Sequence, residues 1–248
     1  MHWFLIGLIG AGVGFLGGMF GKGGSAIATP LLAAIGVPPI IALASPLPAT
    51  IPGTLVAYRR YRGSGHSDPR VIRWSVAFGL PATIIGALVT HWIGGEFLVQ
   101  LTDAIVAVLG LRILLERHPP DAGTPAHAPV AGRVRLATVA TTVGFLAGLL
   151  ANAGGFLLVP LYLAVLHLPI KKALASSLAV ASVLAVPGTL VHAALGHIDW
   201  RVAAVFGAAS IPLSGLGART ALAMNPARLE RIYGAGLLTL GITLLALG

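Results

Sequence analysis

Two stretches 130 residues apart carry the same interruption of an apolar run: Gly14 to Pro30, GFLGGMFGKGGSAIATP, and Gly144 to Pro160, GFLAGLLANAGGFLLVP. Val13, Gly14, Phe15, Leu16, Gly24 and Pro30 recur as Val143, Gly144, Phe145, Leu146, Gly154 and Pro160. In each copy a helix-length apolar run meets a glycine-rich break, then a shorter apolar run at 26–36 or 156–168. At ~1.5 Å per residue such a short run rises roughly 17–20 Å, well below a ~30 Å hydrocarbon core. The pattern predicts hairpins whose tips stop inside a membrane.

Composition agrees that the solvent is lipid. Of 248 residues, 56% are hydrophobic and 9% charged, where a soluble domain carries roughly a quarter charged. Further apolar segments run over 3–20, 39–58, 71–92, 97–115, 135–151, 173–195, 201–222 and 228–247. The net charge of +9 sits in short loops between them, where it sets topology. No aromatic-interleaved basic patch of the kind nucleic acid requires is present. Cysteine is absent, which excludes disulfides and thiolate metal sites. MHWFLIGLIG has no basic n-region and no clear cleavage site, so it reads as a first membrane segment.

The duplication extends well past the opening stretch. Pro39 and Ile40 return as Pro169 and Ile170, and Ala44, Ser45 and Leu47 as Ala175, Ser176 and Leu178. PGTLV occurs intact at Pro52 to Val56 and at Pro187 to Val191. Gly65, His66, Asp68, Arg70 and Val71 return as Gly196, His197, Asp199, Arg201 and Val202. Matches this numerous, in one order, mark an internal duplication. Residues 116–134, ERHPPDAGTPAHAPVAGRV, read as a polar, proline-rich cytoplasmic linker between a first repeat, 1–115, and a second, 135–248.

Loop charge orients the halves. Arg59 to Arg73 holds five arginines and its partner around Gly196 to Arg201 holds one, while Lys171 and Lys172 fall in a turn whose first-half partner is uncharged. Equivalent loops that alternate in basicity predict opposite orientations. The expected fold is an all-α polytopic membrane protein of two inverted repeats. Each repeat is a re-entrant or short-helix hairpin followed by three transmembrane helices. Both termini are expected on the outer side of a bacterial-type inner membrane.

The tips read GKGGS at 21–25 and NAGG at 152–155. Glycine lets a ligand approach the backbone, and the helix that restarts after each tip aims free amides and its positive end at that ligand. Two such N-termini meeting at mid-membrane make an anion site. Lys22, Gly23, Gly24, Ser25, Asn152, Gly154 and Gly155 are its expected residues. The plainer reading makes these glycines tight turns only. Ser45 and Ser176, repeat partners near prolines, are expected to help orient substrate, against the alternative that Ser and Thr hydroxyls bond back to their own helices. Asp68 and Asp199 read as helix N-caps. His66, His197 and the intrahelical acid Asp103 are candidates for coupling or gating. GxGxxG at Gly12, Gly14 and Gly17 follows no strand. Gly10, Gly14 and Gly18 are spaced for close helix packing instead.

No zinc-protease motif, nucleophile elbow or Walker loop occurs, so no enzyme, catalytic residue, metal or cofactor is expected. Expected partners are a small anionic substrate and the lipid bilayer, with a homodimer compatible with the pattern and nucleic acid excluded.

With GGFLLVPL at 154–161, ASSLAV at 175–180, PGTL at 187–190 and GHIDWRVA at 196–203, the second half resembles the TauE/SafE family of membrane permeases. GKGGSAIATPLL, IPGTL and GHSDPRV extend the resemblance over the first half. The resemblance implies transport of sulfur-containing anions such as sulfite, sulfoacetate or other organosulfonates, often as export. Lys22 and Asn152 depart from the family's glycine-rich tips. A passive anion channel, or a membrane subunit that anchors or assembles an enzyme, are the rival readings.

Lys22 is the strong asymmetry between the tips. If it faces substrate, Lys22→Ala removes a desolvated charge partner, and anion binding by detergent-purified protein weakens by about 2–5 kcal/mol, roughly thirtyfold to several-thousandfold. Lys22→Arg retains more. Unchanged affinity in the alanine variant makes Lys22 a topology marker and leaves the helix N-termini as the anion-binding element.

Overall fold

Proline and glycine punctuate the apolar runs, and the helices begin and end where they fall. A computed structural model describes residues 3–21, 25–89, 108, 111, 115, 133–149 and 155–247. Ten helices are assigned among them: α1 Trp3–Phe20, α2 Ser25–Ala34, α3 Pro39–Ala44, α4 Leu47–Gly63, α5 Pro69–Val89, α6 Arg133–Leu149, α7 Gly155–Ala164, α8 Ile170–Ala194, α9 Trp200–Ala223 and α10 Pro226–Leu247. The run 97–115 lies outside the described residues apart from 108, 111 and 115, each helical. So does most of the linker, although α6 starts at Arg133, two residues before the expected boundary.

Among the described residues, four helical runs are long and apolar enough to cross a membrane: α1, the α3–α4 run Pro39–Gly63, α8 and α9. The α3–α4 run departs from expectation, breaking at Ser45–Pro46 and continuing to Gly63. Pro46 and Pro48 remove two amides within a single turn from the ladder. In α8 the corresponding residues are Ser176, Ser177 and Ala179, and that helix is unbroken over 25 residues. By contrast α2 and α7 have 10 residues each, a rise of about 15 Å, half a hydrocarbon core.

Polarity is distributed as a lipid solvent demands. Phe4 is 80% exposed, Leu190 65% and Trp200 62%, while Ser45, Thr50, Thr54, Ser75, Thr83, Ser176, Ser177, Ser182, Ser210 and Ser214 are buried. Apolar side chains face outward and hydroxyls inward. Four crossing-length helices with that surface make this an all-α integral membrane protein.

The halves are interlocked through glycine. Along α1, Gly10, Gly14 and Gly18 lie against the backbone of Phe206, Ser210 and Ser214 of α9, and Gly217 lies against Phe15 and Met19. The register rises in step, so α1 and α9 are parallel. The other halves of these repeat pairs meet too: Gly144 of α6 lies on the backbone of Gly79 of α5. Gly144 is the repeat partner of Gly14, and Gly79 that of Ser210, at offsets of 130 and 131. Each half's first helix therefore packs on the other half's α5-type helix. A second pair of contacts obeys the same rule. Tyr162 of α7 donates to Ser75 Oγ of α5 at 2.6 Å, and their repeat partners Leu32 and Phe206 share an apolar cluster.

Helix directions follow from four more contacts. Ala49 faces Gly207 and Val56 faces Gly215, so α4 runs parallel to α9. At the start of α4, Ser45 Oγ accepts from the Asp199 amide that precedes α9. At the far end of α9, the Leu222 carbonyl accepts from Lys171 Nζ at the start of α8. Repeat partners α4 and α8 thus run antiparallel.

The close approach is testable within the GxGxxG pair. A Cβ at Gly14 overlaps the Ser210 carbonyl, whereas one at Gly12 meets nothing within 4 Å. Gly14→Ala should destabilise by about 1–3 kcal/mol, lowering Tm of the detergent-purified protein by roughly 2–4 °C per kcal/mol. Gly12→Ala should leave Tm unchanged or raise it through helix propensity, by about 0.5–1 kcal/mol. Equal shifts would mean that the α1–α9 contact is not what constrains Gly14.

Candidate functional site

The expected site spans the described and undescribed chain. Lys22, Gly23, Gly24, Asn152, Gly154 and Asp103 lie outside the described residues. Ser25 and Gly155 are the first residues of α2 and α7, so each short helix begins at its glycine-rich tip, as the reading of the tips requires. Gly21, at the edge of the first tip, is buried and left-handed at φ +69°. Its carbonyl accepts from Ser177 Oγ of α8 at 3.0 Å. A Cβ there would meet Ser177 Oγ at 2.6 Å and Leu174 and Val159 at 3.0 Å. Val159 is four residues beyond Gly155, a rise of about 6 Å. The edge of the first tip therefore rests on the second half, near the start of α7.

Most interior hydroxyls do what hydroxyls in membrane helices commonly do. Thr50 Oγ1 donates to the Pro46 carbonyl, Thr54 to Thr50, Thr83 to Gly79, Ser182 to Ala179 and Thr189 to Ala185, at 2.7–3.1 Å. Ser45 and Ser176 differ. Both are fully buried. Ser45 Oγ accepts from Asp199 N at 3.1 Å, while Ser176 Oγ has no hydrogen-bond partner among the described residues. Buried hydroxyls without a partner are uncommon because burial strips them of water.

The two GHxDxR loops are otherwise alike. Asp68 Oδ1 accepts from Arg70 N and Val71 N at 3.1 and 3.2 Å, and Asp199 Oδ1 from Arg201 N and Val202 N at 2.8 and 3.2 Å. Both aspartates are N-caps, each worth about 1 kcal/mol. Gly65 and Gly196 are left-handed, at φ +76° and +69°. His66 N returns to the Tyr61 carbonyl at 3.1 Å and His197 N to the His192 carbonyl at 3.0 Å, the glycine-terminated helix ending in both. The loops fold the same way, yet only the second is tied to a serine of the opposite half. His66 is half-buried. His197 Nδ1 faces His192 Nδ1 at 3.2 Å.

One residue of this region, His192, escaped the sequence reading, and Ser177 figured only among several hydroxyls that could line a polar path. Ser177 holds the first tip, but its repeat partner is Pro46, so the duplication does not single it out. His192, five residues before His197, corresponds to Tyr61, whose hydroxyl is turned instead to the Met19 carbonyl at 3.5 Å. The Ser-Ser pair and the His-x4-His spacing were the available signals.

A cavity of about 20 Å³ lies between α1, α4 and α9, lined in part by Gly14, Gly18, Thr50, Thr54 and Ser210. It has room for about one water.

Comparison with known proteins covers nearly the whole chain. The family model for the sulfite exporter TauE/SafE matches residues 6–244. A probable membrane transporter protein of Xylella fastidiosa strain 9a5c is 30% identical over 241 residues, 93% of this chain and 90% of its own length. A similarly named protein of Bacillus subtilis strain 168 is 24% identical over 252 residues, 91% and 89% of the two chains. No solved structure matches.

The two serines should respond differently to truncation. Ser45→Ala leaves the half-buried Asp199 amide without its acceptor, which costs about 0.5–1.5 kcal/mol. Ser176→Ala removes a hydroxyl that bonds to nothing and should be neutral or stabilising. Thermal unfolding of both variants in detergent measures the contrast, and equal losses would mean that Ser176 has a partner the contacts above do not include.

Proposed function

The chain belongs to the sulfite exporter TauE/SafE family of membrane transporters, and from that membership we propose that it is a secondary exporter of a small sulfur-containing oxyanion or sulfonate. The reading is carried by one observation: α2 and α7 are half-membrane helices that each begin at a glycine-rich tip. A helix that starts inside the bilayer presents its free amides and positive end there, where water does not compete. Oxyanion oxygens are the natural ligands of such amides. Lys22 would add charge, and Asn152 and Ser25 would orient the substrate. Support for one shared site comes from Gly21, which is pinned by Ser177 beside α7.

The antiparallel course of α4 and α8, and the reciprocal α1–α9 and α5–α6 contacts, are what two inverted repeats require. Arg59, Arg60, Arg62, Arg70, Arg73, Lys171, Lys172, Arg219, Arg228 and Arg231 lie at the end where α4 and α9 finish and α5, α8 and α10 start, while Arg201 begins α9 at the other. Under the positive-inside rule the crowded end faces the cytoplasm of a bacterial-type inner membrane. Both termini then lie outside.

Alternation follows from the serines. Ser45 joined to Asp199 closes the outer end in this state, and Ser176 is free to take the Asp68 amide when the inner end closes. Exchange of one bond for its repeat partner turns the site from one face to the other. His66, His197 and Asp103 are the proposed coupling or gating residues.

Labelled sulfite, sulfoacetate and taurine offered to proteoliposomes holding this chain alone test the proposal. Saturable flux with counterflow for a sulfur anion is expected, and Ser176→Ala should slow it several-fold although that hydroxyl has no bond in the present state. Flux linear in concentration would replace the transporter with a channel, and no flux at all would favour the anchoring subunit.

A further inference from the structure

At the arginine-rich end, the parallel packing of α4 on α9 has a consequence for charge. Val56 Cγ1 stands 3.0 Å from where a Cβ on Gly215 would be, so the two helices are held in contact about two turns before they end. One turn further, Arg59 and Arg60 of α4 and Arg219 of α9 open onto the same basin. Its remaining lining is Gly63, Ser64 and Leu222, and it holds about 430 Å³. That volume falls within the ~300–1,000 Å³ range of small-molecule sites, too large for a bare ion alone.

The basin is positive and uncompensated. Among the described residues no carboxylate pairs with any of the three guanidiniums, and Asp68, the acid of the adjoining loop, is committed to capping α5. Two helix C-termini meet here, and each contributes about half a negative charge. Those ends are partly answered already: Lys171 Nζ takes the Leu222 carbonyl at 2.9 Å and Ser64 Oγ the Arg60 carbonyl at 3.2 Å. Three guanidiniums outweigh what remains.

Guanidinium forks match oxyanions of the phosphate class with two parallel hydrogen bonds, which ammonium groups do not. Directly below the basin, one turn back on the same helix faces, Leu55 and Leu216 are 38% and 47% exposed. A ligand with a phosphate head and an apolar tail would meet guanidinium above and leucine below. We propose that Arg59, Arg60 and Arg219 form a binding site for a phosphate-class oxyanion, carried by an anionic phospholipid or free in solution. This site is separate from the tips and does not depend on what the protein transports.

The test uses the full chain in neutral detergent. Native mass spectrometry after incubation with mixed phosphatidylglycerol and phosphatidylcholine reads lipid retention, and Tm with inorganic phosphate against chloride at constant ionic strength reads the soluble oxyanion. Retention of phosphatidylglycerol, reduced about tenfold or more in Arg219→Gln and in Arg59→Gln, identifies a lipid site. A phosphate-dependent rise in Tm without lipid preference, lost in the same variants, identifies a soluble ligand. Arg73→Gln loses the same charge at the same end but does not line the basin, and should match wild type in both readouts. Absence of both responses in wild type overturns the proposal. So does an equal response of Arg73→Gln and Arg219→Gln, since that is what general attraction to a basic surface produces.

Discussion

Everything in this structure hangs on backbones that touch. In lipid the hydrophobic effect no longer drives helices together, because an acyl chain is as good a neighbour as leucine. What remains is close van der Waals contact and hydrogen bonding, and both need small residues at the crossing. Gly10, Gly14 and Gly18 bring α1 onto α9, and Gly144 with Gly79 brings α6 onto α5. These crossings join the two halves rather than bracing either one. The helix that leads toward each glycine-rich tip is thereby carried by the opposite half.

Much of this was legible in the residues. The repeat located matching caps at Asp68 and Asp199 and matching glycine-terminated helix ends, because those features depend on neighbours within a few positions. Helix-packing glycines were legible because their i, i+4 spacing has no other good use in an apolar run. The shortness of α2 and α7 could be read from the glycines and prolines that bound them. The swapped pairing of α1 with α9 could not. It joins residues nearly two hundred positions apart, and periodicity shows which face of a helix is small without saying what covers it. The contact between Ser177 and Gly21 was hidden for a similar reason. The sequence singled out Ser45 and Ser176 among several interior hydroxyls, and only packing shows that Ser177 reaches across to Gly21 as well as bonding back to the Leu174 carbonyl. The break at Ser45–Pro46 was half visible: the prolines were plain, but the repeat partner α8 is continuous and argued for one run.

Two of those hydroxyls bear on how a transporter of this build would cycle. Duplication makes the two end-states nearly images of one another, so they are expected to differ little in energy, and a ligand needs only a small differential affinity to shift between them. The cost of exchange depends on what must be broken. Both loop caps and both glycine-terminated helix ends are local to one half, and they survive rigid movement of that half intact. Besides the Ser177–Gly21, Ser214–Gly53 and Tyr162–Ser75 bonds, one serine–amide contact crosses between the halves at Ser45–Asp199, while its repeat partner Ser176 has no hydrogen-bond partner among the described residues. A neutral hydrogen bond contributes about 0.5–1.5 kcal/mol net, and exchanging it for its repeat partner returns nearly the same amount. A gate fastened by an ion pair in a low dielectric would lock in one state. In the proposed exchange, one fastened by a single hydroxyl would register the closed end and still release it, and the buried Ser176 would supply the replacement bond.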